Sequence, residues 1–156
     1  MVVSIILILA GLLLPVLSKM REKGNRTNCL SNLSQIAKAA IMYSDDYESY
    51  FPPEHVDINN IGGFQAMIEQ GVLLDGELMV CPSSPQRVSG ALIKLTQELQ
   101  TNYAYFGDGK TNAMNNSSNE AIAGDLQINH GGRWRQFSFV DGHTEGLFFD
   151  PLPPTP

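Results

Sequence analysis

Residues 1–17 (MVVSIILILAGLLLPVL) carry no charge and a single hydroxyl, Ser4, and run directly into a basic collar of Lys19, Arg21, Lys23 and Arg26. No other stretch of the chain resembles it. An apolar run of this length is the hydrophobic part of a signal peptide, a short membrane helix or an assembly helix. A helix that spans a bilayer needs about 20 apolar residues, so this run falls slightly short. A cleavable signal places its positive charges before the apolar core and a small-x-small site after it. Here the charges follow, and no such site occurs over residues 14–22. A soluble core helix that is apolar on every side must be buried all round, which a chain with 43% hydrophobic residues does not readily supply. Lipid or partner helices are the expected surroundings for Ile5, Leu9 and Leu13.

The remainder has the length of one ordinary domain. Beyond the collar, the basic residues Lys38, Arg87, Lys94, Lys110, Arg133 and Arg135 face a larger set of acids spread from Asp45 to Asp150. The head is therefore net acidic, which excludes a nucleic-acid footprint of the usual basic kind. Cys29 and Cys81 are too few and too widely separated for a paired-Cys zinc motif. As a lone pair they suggest one disulfide, worth about 3–4 kcal/mol by loop closure if the head lies in an oxidising compartment. Two reduced buried thiols are the alternative.

In chain order, Pro15 removes one backbone donor and predicts a kink, since the apolar pattern resumes at once. From Cys29 onward, Leu30, Leu33, Ala37, Ala40 and Ile41 fall at helical spacing with Ser31, Ser34, Gln35 and Lys38 between them. One helix from near Met1 to about Tyr43 is predicted, apolar all round in its first half and amphipathic in its second. Ser44-Asp45-Asp46 and Phe51-Pro52-Pro53 mark its end. The acidic knot of Asp45, Asp46 and Glu48 lacks the Asp-x-Asp-x-Asp-Gly pattern of a calcium loop and reads as a solvated helix end. Residues 64–70 (FQAMIEQ) predict a short helix stopped by Gly71, and an extended segment through Met79-Val80-Cys81-Pro82 follows. Residues 89–100 predict a second short helix from the spacing of Ala91, Leu92, Leu95 and Leu99. Strands are predicted at 103–106 and 121–125, with a polar, mobile surface loop over 112–119. The last unit is a hairpin of 135–140 and 143–149 around Asp141-Gly142, predicted to be a two-residue type I′ turn. Trp134, Phe137, Phe139, Phe148 and Phe149 are expected to pack the hairpin on the helix. Residues 150–156 (DPLPPTP) cannot continue a sheet and read as an extended tail.

These pieces resemble a known group. Leu12-Leu13-Leu14-Pro15, Lys19-Met20-Arg21-Glu22-Lys23, Asn28-Cys29-Leu30-Ser31-Asn32-Leu33 and Tyr43 through Phe51-Pro52 look like the type IV pilin-like proteins and type II secretion pseudopilins of bacteria. More narrowly, Cys81-Pro82-Ser83 and Phe139-Val140-Asp141-Gly142-His143 resemble the prepilin-type group with a C-terminal His, nine-residue gap, Asp-Gly signature. The likeness covers nearly the whole chain, with two departures. Ten residues, not nine, separate His130 from Asp141. Members usually begin with a basic leader, a Gly cleavage site and Phe-Thr-Leu-Ile-Glu, whose Glu is thought to guide assembly. By comparison about two helical turns, the Glu among them, are missing ahead of Met1. Either residues precede Met1 in the natural protein, or this copy is not processed and assembled in the usual way.

The resemblance implies an α+β, pilin-like fold, with a long N-terminal helix kinked near Pro15 and packed on a small antiparallel sheet that ends in a hairpin. It divides the chain into an apolar helix with its collar (1–26), a head (27–149) and a Pro-rich tail (150–156). It implies a non-enzymatic subunit of a type II secretion or type IV pilus-like system, partnered by other pilin-like subunits, the secretion machinery, inner-membrane lipid and a secreted protein substrate. The subunit would be a single-pass inner-membrane protein with a periplasmic head, or part of an extracytoplasmic filament. A collar after a span predicts a cytoplasmic head, whereas the disulfide and the resemblance place it outside; we expect it outside. The alternative class is a membrane-anchored periplasmic binding protein that never polymerises.

For chemistry, His130, Asp141 and His143 are the one constellation of metal-ligating or proton-transferring type. They would support a metal-dependent hydrolase as a third, remote class. Asp141 and His143 are, however, already explained by the hairpin turn and the strand that returns from it. No catalytic Ser, zinc-protease or phosphate-loop motif occurs, and no cofactor is expected.

Overall fold

A computed structural model describes residues 2–53, 62–85, 101–113, 117–126, 129–132 and 134–148, without the side chains of residues 4, 5, 8, 10, 131 and 132. The second helix predicted over 89–100, the tail and Phe149 lie outside them, as does the Ile5 side chain. Helix α1 (Val2–Asp46) runs unbroken through Pro15 and ends three residues beyond Tyr43. Pro15 contributes no N–H, and its own carbonyl additionally accepts the Ser18 hydroxyl at 3.0 Å. The chain then reverses through Glu48 and Ser49, both at positive φ, with the Ser49 N–H donating to the Ser44 carbonyl. Asp45 and Asp46 are exposed there, and Asp45 accepts a hydrogen bond from Asn112.

The two halves of α1 behave as their composition predicts. In the C-terminal half, Cys29, Leu33, Ile36, Ala37, Ala40, Tyr43 and Ser44 form one buried stripe at helical spacing. Leu30 and Ile41 flank it, half-buried. In the N-terminal half no such stripe exists: Leu9, Leu13 and the other large apolar residues described there stand exposed.

The sheet is a four-stranded antiparallel meander in the order β1 (Tyr103–Tyr105), β2 (Ala121–Asp125), β3 (Trp134–Phe139), β4 (Thr144–Phe148). The C-terminal half of α1 lies across it, and β3 is the strand it contacts most. Helix α2 (Gly62–Glu69) begins two residues earlier than predicted and ends at Gly71, whose φ of +74° only glycine adopts freely. It docks on β1 through Tyr105, whose ring sits edge-on to Phe64 and so close to Gly63 that a Cβ there would lie 2.1 Å from it. Tyr105 completes the joint by donating its hydroxyl to the Pro52 carbonyl.

Four local expectations are corrected. The segment before Cys81 is not wholly extended: Gly76–Met79 forms a 3₁₀ turn capped by Asp75, whose carboxylate accepts from the Glu77 N–H at 2.9 Å. The loop beginning at Asn112 is tied down at its start, where Asn112 bonds Ser49, Ser44 and Asp45. The hairpin turn is not type I′. Gly142 has φ +84° while Asp141 does not enter the left-handed region. The Gly142 N–H donates to the Phe139 carbonyl, and the Phe139 N–H to His143. That is a three-residue loop, Val140-Asp141-Gly142, with one glycine supplying the one positive φ. Finally, Phe137 and Phe139 do not form the seam with the helix. The buried β3 side chains are Gln136 and Ser138, while Phe137 and Phe139 alternate onto the other face. Phe137 fills the space left by Gly124 on β2. Trp134 packs at the sheet edge against Phe148 and under Arg26.

Candidate functional site

Two features set this molecule apart from a plain α+β head, and α1 contributes to both. The first is the uncovered apolar half. Val3, Leu7, Leu9, Leu12, Leu13 and Leu17 are each more than half exposed, so the described side chains of the run form lipophilic surface that the head does not cover. Among the described residues, no helix is long and apolar enough to cross a membrane.

The collar closes that half. Lys19, Arg21 and Lys23 are exposed, but Arg26 is not a free charge. Its Nε donates to Glu22 Oε1 at 3.1 Å, and its guanidinium lies 4.5 Å from the Trp134 ring centre. Between collar and hairpin runs an open groove of about 680 Å³, lined by Ser18, Glu22, Arg26, Trp134 and Gln136 among others.

The second feature is a buried cluster just above the collar, where four elements meet. Helix α1 brings Glu22 and Cys29, the segment after the 3₁₀ turn brings Cys81, β2 ends in Asp125, and a second 3₁₀ turn (Asn129–Gly132) brings His130. Two asparagines hold the Cys81 segment. Asn32 donates to the Val80 carbonyl, and Asn102 Oδ1 accepts the Cys81 N–H at 2.9 Å. Asn129 in turn donates to both the Asn102 carbonyl and Asp125 Oδ1. His130 has φ +53°, a conformation that costs a non-glycine residue about 1–3 kcal/mol and persists only where surroundings enforce it.

The contacts of the cluster are close. Cys29 Sγ and Cys81 Sγ lie 2.6 Å apart. Cys81 Sγ lies 3.5 Å from His130 Nε2, which lies 3.4 Å from Asp125 Oδ2. On the opposite side of the ring, Nδ1 donates to Glu22 Oε1 at 2.8 Å, and Ser83 donates to Glu22 Oε2 at 2.6 Å. The side chains of Asp125 and His130 are wholly buried, and Asp125 Oδ2 has no hydrogen-bond partner.

The electrostatics follow from this packing. Burial opposes a charged His130, but its hydrogen bonds to Asp125, Cys81 and Glu22 outweigh burial and hold its pKa up at about 10. Burial likewise pushes Glu22 up, yet Ser83, His130 and Arg26 together bring it below its ordinary value. The Cys81 thiol is pushed up by its hydrogen bond with Cys29 and then by burial. Burial, reinforced by the two cysteines, raises Tyr103.

The residues singled out from the sequence are therefore regrouped. Cys29 and Cys81 do meet, their sulfurs 2.6 Å apart. His130, Asp141 and His143 do not converge on one point. Asp141 and His143 pair with each other at the hairpin turn, where the His143 ring also stacks on Phe139. His130 belongs instead to the cysteines. The sequence reading missed Glu22, hidden in the collar, and Asp125, read only as the end of a strand. The one available signal was Asp125 and Asn129-His130 lying within six residues directly after that strand. No family model, no curated protein and no solved structure matches the chain.

Proposed function

We propose that the chain is a non-enzymatic, pilin-like subunit that assembles with copies of itself or with similar subunits through the N-terminal half of α1. The head would be displayed outside the assembly, and outside the cytoplasm. The observation that carries this reading is the uncovered apolar half of α1. It continues without a break into the helix that the head is built on, so any force on the apolar segment reaches the head directly. An exposed apolar surface of this extent needs lipid or protein to cover it. Identical helices meeting along Leu9 and Leu13 would cover it, and the exposed collar residues Lys19, Arg21 and Lys23 would then face acidic groups of neighbouring heads or anionic lipid headgroups.

Single cysteines at Leu9 or Leu13 test it. Cells expressing the Leu9→Cys or Leu13→Cys chain should give crosslinked dimers on oxidation or with a short bifunctional maleimide. A monomer under those conditions refutes assembly. It would favour the second reading, an anchored protein that binds a ligand or secreted substrate, for which the groove between collar and Trp134 is the available surface.

A further inference from the structure

We propose that Cys29, Cys81, Asp125 and His130 bind one zinc ion, closing a four-coordinate structural site that fastens the spine helix to the sheet. Their ligand atoms all lie within 4.8 Å of one another, and all four residues are buried. Two sulfurs, one imidazole nitrogen and one carboxylate oxygen are a donor set suited to zinc, a borderline-soft ion that takes four ligands tetrahedrally.

The geometry can be checked edge by edge. Ordinary zinc bond lengths in a tetrahedron require about 3.6 Å between sulfur and nitrogen, about 3.3 Å between nitrogen and oxygen, and about 3.8 Å between sulfurs. Cys81 Sγ to His130 Nε2 is 3.5 Å, and Nε2 to Asp125 Oδ2 is 3.4 Å, so these edges already fit. The sulfurs, at 2.6 Å, must spread, which small rotations about the Cα–Cβ bonds supply.

A Cys29–Cys81 disulfide is the competing occupant, and it accounts for the sulfurs alone. It leaves unexplained a wholly buried carboxylate whose Oδ2 has only the His130 Nε2, 3.4 Å away, beside it and converges on the same point as the sulfurs. Glu22 adds a separate sign. It accepts the Nδ1 proton of His130 on the side away from the cluster, so that Nε2, once its proton is displaced, is the nitrogen turned toward the metal. A carboxylate in that position orients histidine ligands of zinc and raises their basicity. On binding, both thiol protons and any proton on Nε2 leave to solvent. Two thiolates and one carboxylate then surround a doubly charged ion, which leaves the site one net negative charge. All four positions are filled by protein, so the ion is structural and has no open position for a reacting water. This inference is independent of what covers the apolar half of α1.

The test uses the full chain, reduced and freed of metal, with cobalt(II) and zinc as probes. Cobalt should bind one per chain with the spectrum of a tetrahedral thiolate site, and one equivalent of zinc should displace it and protect both thiols from alkylation. Glu22→Gln should weaken zinc binding by about 10–100-fold, and Asp125→Asn should weaken it at least as much. A reduced, folded wild-type chain that takes up no metal overturns the proposal, as does a native Cys29–Cys81 disulfide that resists reduction. Uptake that neither substitution weakens overturns it too, because the metal would then lie elsewhere. The wild-type titration does not depend on either variant folding.

Discussion

Asp141 shows how much one side chain can be asked to do at a turn. Its carboxylate accepts the His143 backbone N–H at 3.1 Å and also meets the His143 ring. Slight burial would raise its pKa, but these hydrogen bonds win and hold it below its ordinary value. A carboxyl depressed in the folded state stabilises above its unfolded pKa and loses that contribution as pH falls through the folded one. We therefore expect NMR titration to place Asp141 below its ordinary value, and the depression to shrink in His143→Ala to what the backbone N–H alone sustains. An unshifted Asp141 in the wild type would mean that the turn pairing is absent in solution. The Asp-Gly pair announced a turn in the sequence, yet not its type: nothing local fixes whether one or two residues take positive φ, and the strand register decides it. At Cys29 and Cys81 the sequence likewise pointed to a meeting of two sulfurs. Beyond the closeness of Asp125 to Asn129-His130 it gave no sign of the two carboxylates around His130, because carboxylates on a strand and in a charged collar look like solvated surface.

Helix α1 was the most legible element, since an apolar run followed by 3.6-residue periodicity needs no partner to be recognised. Its two halves should respond differently to the same substitution. Leu33 is fully buried against the head, so Leu33→Ala should cost about 2–5 kcal/mol in chemical denaturation. Leu13 is 58% exposed, and Leu13→Ala should change head stability by less than about 0.5 kcal/mol. Equal losses would show that the apolar half is packed on the head after all. The hairpin was legible as an element, but its facing was not. Aromatic residues suggested a seam with the helix, whereas Gln136 and Ser138 occupy the buried positions of β3. Gln136 is placed there by a hydrogen bond to the Arg26 carbonyl, a partner far away in sequence that no strand pattern encodes.

At the scale of the molecule, a head closed around the C-terminal half of α1 carries a long apolar helix that the head leaves bare. Removing residues 2–17 should therefore leave the head's denaturation midpoint unchanged while abolishing self-association in sedimentation. A head that unfolds without them, or a shortened chain that still associates, would contradict this division. The sequence by itself determined the division, together with the α+β class, the order of the described elements and the acidic head, because charge, hydropathy and turn residues act locally. Only the tertiary structure decided what the head's buried polar residues are for. Glu22, Cys29, Cys81, Asp125 and His130 come from four separate segments, and each is unremarkable in its own. They acquire a common chemistry because the helix crossing the sheet brings Cys29 to Cys81, Asp125 and His130 at one point out of water, with the half-buried Glu22 holding the far side of the imidazole.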